Sequence, residues 1–272
     1  MSNPAKTTLD IDDIKSFGAS VSFGKTAGDY GRYRAGFPEV FFDELNKHVG
    51  LSDGDNAIDL GTGTGTVARG LAKRGLTVTG IDPSPELIAE ASRLDGEAGV
   101  TVTYVEGKAE QIQAESESVD LVTAGQCWHW FDRSAVANEV HRILRPAGRV
   151  VICHFDWLPL PGNVVAATEA LILKFNPAWA LAGGTGVYPD WLADLSGAGF
   201  HQIETRSFDH GAPYTHEAWR GRIRASAGVK ATLSPEETAA FDAELAILLE
   251  QEFPDDPFIV PHRVWWVAAK KP

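Results

Sequence analysis

Residues 57–65 read Ala-Ile-Asp-Leu-Gly-Thr-Gly-Thr-Gly, and a second acidic residue, Asp82, ends Gly80-Ile81-Asp82 twenty-one positions after Gly61. Glycines at alternate positions after a hydrophobic strand permit a tight turn and a close backbone approach to a ligand. An acid at the end of the next strand is placed to accept hydrogen bonds from ribose hydroxyls. The implied chemistry is the holding of an adenosine-containing cofactor by Gly61, Thr62, Gly63 and Gly65, with Asp82 and Pro83 at the sugar. The dinucleotide loop G-x-G-x-x-G has its third glycine where this chain has Thr66, and the extra glycine comes one residue early, at Gly65. Asp59, inside the strand, adds a carboxylate that repels a pyrophosphate but accepts hydrogen bonds from an ammonium group. A nucleoside bearing an amino acid, such as S-adenosylmethionine, therefore suits the loop better than NAD.

A second set of chemically capable residues, Gln126-Cys127-Trp128-His129-Trp130, follows the fourth strand-like segment. In a doubly wound sheet, ligands lie beyond the carboxyl ends of the strands near the point where strand order reverses. Gln126 is accordingly expected at the cofactor and Trp128 and His129 at an acceptor. The imidazole of His129 can serve as a general base for a hydroxyl; the alternative is packing or capping at the helix that begins near Asp132. In extended chain, Trp128 and Trp130 would face one side and His129 the other. Cys127 reads as a small buried hydrophobe. Near the N-terminus, Tyr33 is a candidate acceptor contact, and Arg34 a candidate bidentate partner for the carboxylate of the cofactor or of an acidic acceptor. A surface arginine is the alternative for Arg34. His154 and Asp156 close the fifth strand, and His210, His216, Arg220, Arg222, Arg224, His262 and Arg263 are scattered downstream with nothing to single one out.

Strands and helices alternate from residue 56 to about residue 155. Strands are expected at 56–60, 77–82, 100–106, 119–124 and 148–155, and helices at 66–74, 86–94 and 132–144, where Val136, Val140, Ile143 and Leu144 share a face. This alternation predicts a parallel sheet with right-handed crossovers. Beyond 156 the rhythm breaks, with helices expected at 164–175, 188–198, 215–227 and 234–252 and strands at 203–208 and 258–268. The helix at 234–252 opens with Ser234-Pro235-Glu236-Glu237, a capping box with proline in the first turn. The division expected is an N-terminal helical lid segment (1–50), a cofactor-binding core (51–155) and the rest of the sheet with helical lid insertions (156–272), forming one compact domain overall. Aromatic residues in the lid suggest a largely apolar acceptor pocket.

Composition narrows the partners. A formal charge of -13 opposes nucleic-acid binding, which needs clustered Lys and Arg. Two cysteines without paired spacing suggest reduced thiols, and no metal site is legible. No stretch approaches the roughly 20 apolar residues of a membrane span, and the first residues carry no apolar signal core. The expectation is a soluble cytoplasmic protein with no membrane partner and an oligomeric state that the sequence leaves open.

The segments 58–65, Gly80-Ile81-Asp82-Pro83-Ser84, Glu106-Gly107-Lys108-Ala109-Glu110, Val119-Asp120-Leu121-Val122, Trp128-His129-Trp130-Phe131-Asp132 and Leu144-Arg145-Pro146-Ala147-Gly148 together carry a resemblance. Over residues 57–150 the chain resembles class I S-adenosylmethionine-dependent methyltransferases, of the small-molecule group that includes trans-aconitate methyltransferase. The resemblance implies an α/β fold, a doubly wound, seven-stranded, mostly parallel sheet with its last strand antiparallel. It implies methyl transfer to a small organic molecule, expected at an oxygen of a carboxylate or hydroxyl. The family's Gly-Asp-Ala segment, whose acid often contacts adenine, is Gly107-Lys108-Ala109 here. Lys108 cannot accept that hydrogen bond, so the role passes to Ala109 and Glu110. A non-catalytic S-adenosylmethionine-binding sensor or partner subunit and an NAD-dependent oxidoreductase are the competing readings.

Overall fold

The computed structural model describes Tyr33, residues 35–229 and residues 232–272. Arg34 therefore lies outside the described residues, as does most of the N-terminal segment. In chain order the elements are α1 (Glu39–Val49), β1 (Asn56–Leu60), α2 (Thr66–Ala72), β2 (Thr77–Asp82), α3 (Pro85–Ala98), β3 (Thr103–Glu106) and β4 (Val119–Gly125). A single 3-10 turn (Trp128–Trp130) leads into α4 (Arg133–Ile143) and β5 (Leu144–Trp157). The chain continues through α5 (Val164–Phe175), α6 (Asp190–Gly197), β6 (His201–Tyr214), α7 (His216–Arg224), α8 (Pro235–Glu252) and β7 (Phe258–Lys270).

The seven strands form one sheet in the order β3-β2-β1-β4-β5-β7-β6. β1 pairs in parallel with β2 on one side and β4 on the other, so the order of winding reverses at β1 and β4. The registers Leu60↔Ile81 and Leu60↔Ala124 bring the carboxyl ends of three strands level. β7 runs antiparallel to β5: Gly148 accepts from the Lys271 amide while Leu158 donates to the Pro261 carbonyl. The fold class expected from the sequence is the one observed.

The chain divides into two compact units. One holds Gly36–Phe155, Val187–Phe208 and Val264–Pro272. Its centre is the apolar run of β1, β4 and β5, where Leu60, Val122, Val150 and Ile152 are fully buried because helices cover both faces. Val136, Val140 and Ile143 on α4 join this core at the spacing read from the sequence. The other unit holds Asp156–Gly186 and Asp209–Arg263, with Tyr33 and Ala35. There Trp219 is fully buried and donates through Nε1 to Thr168 Oγ1 at 3.1 Å. α8 opens with the expected reciprocal capping box between Ser234 and Glu237. Among the described residues no helix is long and apolar enough to cross a membrane.

Some of the differences from expectation, in two strands and one turn, have clear causes in pairing and packing. β5 starts at Leu144 and includes the Arg145-Pro146-Ala147-Gly148 segment, because Leu144 already pairs with Val119. The next pairing is Leu121↔Arg149, so the intervening residues bulge out, with Ala147 at a φ of 66°. β6 runs on to Tyr214 because strand pairing persists past the apolar stretch that marked it. Residues 128–130 are not extended but form the 3-10 turn, which takes the two tryptophans out of the alternation expected of them.

α2, the helix that follows the glycine loop, is held at Gly70 against Phe42 of α1, where a Cβ would overlap the Phe42 ring. Helix propensity alone favours alanine here by about 1 kcal/mol. Overpacking opposes it by about 1–3 kcal/mol. Gly70→Ala is expected to lower the midpoint of urea unfolding; a higher midpoint would mean that Phe42 moves aside freely.

Candidate functional site

The glycine loop leaves β1 with Gly61, Gly63 and Gly65 all at positive φ, 57°, 55° and 76°. Two of them also need glycine to clear a neighbour. A Cβ on Gly61 would lie 2.8 Å from Cys127 Cβ and 2.9 Å from its sulfur. One on Gly65 would overlap the Tyr104 hydroxyl. One on Gly63 would meet nothing within 4 Å. Gly63 is thus the loop position whose missing side chain leaves open space, as a cofactor-facing glycine must.

Asp82, at the carboxyl end of β2, is 6% exposed. Its Oδ2 accepts from the Gly63 amide at 2.8 Å and its Oδ1 from the Ser84 amide at 2.9 Å. Burial raises its pKa, while the two amide hydrogen bonds oppose the rise. Each oxygen carries two lone pairs and spends one on the protein, so both can still accept from a diol. Pro83 beside Asp82 is exposed.

Asp59 lies deeper, 1% exposed. Thr62 Oγ1 donates to one carboxylate oxygen at 2.7 Å and Thr123 Oγ1 to the other at 2.6 Å. Burial pushes its pKa up to about 6; the two threonine hydroxyls and the Ala68 amide hold it from rising further, and the Asp82 charge adds to the rise. Each oxygen thus accepts from one threonine hydroxyl, and the carboxylate ties Thr62 of the loop to Thr123 of β4.

Beyond β4, Gln126 adopts a φ of 60°, a strained position for a residue with a side chain. Its amide hydrogen goes to the Cys153 carbonyl at 2.8 Å and its Nε2 to the Phe155 carbonyl at 2.6 Å, which together fix it across the ends of β4 and β5. Cys127 is buried against Gly61 with its thiol donating to the Leu60 carbonyl at 3.0 Å. Trp128 is fully buried and donates through Nε1 to Asp194 at 3.0 Å. It has no exposed surface with which to touch an acceptor, and the expectation for its side chain is corrected: it anchors the turn. His129 is half-buried, its ring 4.4 Å from that of Trp130 and 5.5 Å from that of His154.

His154, buried at the end of β5, lies 4.4 Å from the Tyr188 ring, which stacks on Trp191 at 4.1 Å. Tyr188 is among the aromatic residues beyond 156 that suggest an apolar acceptor pocket; its nearness to His154 comes from the fold. Ala109 is buried, and Glu110 Oε1 accepts from the Asp132 amide at 3.1 Å, so one oxygen of Glu110 is spent on the start of α4. Tyr33 belongs to the other unit, where its ring packs on the backbone of Gly221. The structure thus brings together Asp59, Gly61, Thr62, Gly63, Gly65, Asp82, Pro83, Ala109, Glu110, Gln126 and His129 in one unit. Among the described residues no group of three or more His, Cys, Asp or Glu is placed to hold a metal ion.

Residues 58–152 match the family model described as a methyltransferase domain. An uncharacterized methyltransferase of Mycobacterium bovis is 38% identical over 131 residues, 48% of this chain and 51% of that protein. Another uncharacterized methyltransferase, of Schizosaccharomyces pombe, is 32% identical over 192 residues, 65% of this chain and 70% of the relative. The chain belongs to the methyltransferase family. Within it, the ubiquinone biosynthesis O-methyltransferase of Xanthomonas oryzae is 28% identical over 69% of this chain and 77% of its own length. The chain spans about half the length of the first curated relatives it matches. A solved structure of Haemonchus contortus phosphoethanolamine N-methyltransferase 2, in complex with phosphomonomethylethanolamine and S-adenosylhomocysteine, shares the fold with a TM-score of 0.57. It is 21% identical, with 95% of this chain and 60% of that one covered.

The Asp59 carboxyl gives a pH signature. Its folded pKa, about 6, lies above the ordinary aspartate range, so the folded state binds more protons than the unfolded one between about 4 and about 6. Its contribution to stability is best below that window and falls as pH rises through it. Asp59→Asn, which stays neutral, is expected to gain on the wild type by roughly 3 kcal/mol between pH 4 and pH 7.5. Urea unfolding of both proteins across that range checks this, and a pH-independent difference would contradict it.

Proposed function

We propose that the protein is an S-adenosylmethionine-dependent methyltransferase that acts on a small organic molecule at oxygen, a hydroxyl or a carboxylate. The observation that carries the reading is the Gly63 to Asp82 hydrogen bond, which joins the open glycine position to a carboxylate with an acceptor site left on each oxygen. The residues present fit the cofactor: Asp82 for the ribose hydroxyls, Gly61 to Gly65 for the aminoacyl portion, Ala109 and Glu110 near the base and Gln126 at the strand ends. Family membership and the S-adenosylhomocysteine held by the H. contortus enzyme support the same cofactor. The name of the X. oryzae relative supports oxygen as the target. The formal charge of -13 disfavours a nucleic-acid acceptor.

When bound, the cofactor supplies an electrophilic methyl group on a sulfonium. The chain's own part is to hold, orient and shield. Asp82 fixes the sugar, and the negative charge of Asp59 behind Thr62 favours the ammonium end over a pyrophosphate. His129 supplies a proton acceptor for a hydroxyl substrate, a role that a carboxylate substrate does not require. Half-buried Trp130 against His129 offers an aromatic face that attracts a cationic methyl.

S-adenosylhomocysteine is expected to raise the melting temperature of the full chain and NAD to leave it unchanged. Asp82→Ala should weaken S-adenosylhomocysteine binding by roughly 30-fold or more, the loss of two charge-assisted hydrogen bonds. Stabilisation by NAD alone would overturn the reading. With an acceptor identified by labelled methyl transfer, His129→Ala is expected to lower kcat by about 10²–10⁴ for a hydroxyl and less than about tenfold for a carboxylate. Tight cofactor binding without transfer to any acceptor would instead favour a sensor.

A further inference from the structure

We propose that Arg69, Asp95 and Tyr104 form a positioning clamp that sets the conformation of the glycine loop and, through it, cofactor affinity. The affinity half of the proposal rests on the cofactor reading above. The three residues come from α2, α3 and β3. Asp95 is buried, 4% exposed, and spends both oxygens inside the protein: Oδ1 accepts from Arg69 Nε at 2.7 Å and Oδ2 from the Tyr104 hydroxyl at 2.8 Å. The same guanidinium donates through Nη2 to the Thr64 carbonyl in the loop at 2.8 Å and to the Ala91 carbonyl on α3 at 3.2 Å. An ion pair beneath the loop is therefore hydrogen-bonded directly to the loop backbone.

The glycines record the same arrangement. A Cβ on Gly65 would overlap the Tyr104 hydroxyl and lie 3.2 Å from Arg69 Nη2. A Cβ on Gly80 of β2 would lie 2.7 Å from the Tyr104 ring and 2.9 Å from Thr62 Cγ2. The ring occupies room that only glycine at both positions leaves. At Gly65 the clamp, as well as the positive φ of 76°, calls for glycine, while Gly63 faces open space. Burial and the Asp95 charge raise the Tyr104 pKa, so the hydroxyl keeps its proton and its donor role. Removing one partner of a buried, hydrogen-bonded charge leaves the others unsatisfied. The effect reaches Gly63, because Thr64 is its chain neighbour and the Gly65 amide closes the turn on the Thr62 carbonyl at 2.8 Å.

The test uses the full chain with Tyr104→Phe, which keeps the ring and removes the hydroxyl, and with Asp95→Asn, which keeps the shape and removes the charge. Amide hydrogen exchange is followed over residues 60–66 and over β5 without ligand, and S-adenosylhomocysteine affinity by calorimetry. Expected for either variant are exchange about tenfold faster in the loop with β5 unchanged, and a Kd raised roughly 5- to 20-fold. Arg69→Gln added to Tyr104→Phe should cost less than the sum of the two single changes, since both act through Asp95. Unchanged loop exchange and Kd in either folded variant would overturn the clamp. So would a loss of protection shared equally by β5, which marks general destabilisation. A wild-type chain that fails to bind S-adenosylhomocysteine would sink the cofactor reading alone, with loop exchange still deciding the clamp.

Discussion

The hydrogen bond from the Gly63 amide to Asp82 joins what β1 delivers to what β2 delivers. It exists because both strands end level, Leu60 opposite Ile81, and because the loop turns through three positive φ angles immediately afterwards. Shifting either strand by one residue would reverse which side chains face the core and move the carboxylate away from the amide. The parallel register is in turn held by the fully buried apolar residues of β1 and β4. Local chemistry at the loop is therefore a consequence of packing several residues upstream.

The loop glycines have unequal reasons for being glycine. Gly61 clears Cys127, Gly65 clears Tyr104 and Arg69, and Gly63 clears nothing in the protein. A motif that reads as one signature is, physically, one position open to space between two packing positions. The buried charges behind it are costly unless satisfied, and they are satisfied in different ways. Asp95 has a cation and a phenol; Asp59 has two neutral hydroxyls, which restrain but do not cancel the rise that burial imposes on its pKa, to about 6.

The central strands, the α4 face, the α8 capping box and Asp82 were legible because each is written in a short window: an apolar run, helical spacing, a cap or a glycine spacing. Residues 128–130 were not, since their geometry follows from the burial of Trp128 on Asp194, which is 66 residues away in sequence. The Asp95 and Tyr104 pair was invisible for the same reason: Tyr104 looks like an ordinary strand residue and Asp95 like an ordinary helix surface residue. Tyr188 comes beside His154 only through the fold. Alternation predicted that 128–130 would sort by side, but tertiary burial overrode it. The bulge in β5 likewise followed from its pairing with β4 and not from the Pro-Ala-Gly segment that looked like a terminator.

Anchoring by Trp128 also explains why His129 sits where it does. Asp194 on α6 receives both the Trp128 indole and, at 3.2 Å, the Arg133 guanidinium, so the residues on either side of the turn are tied to a single carboxylate. Between these two ties the 3-10 turn has little freedom, and it holds His129 and Trp130 with their rings 4.4 Å apart, Trp130 packed also against the core. Gln126, pinned to the Phe155 carbonyl, fixes the entry to the same segment. A short segment tied at both ends holds its side chains in a defined place. The same reasoning separates the two tryptophans: the first gives its surface to the anchor, and the second keeps an aromatic face beside the histidine.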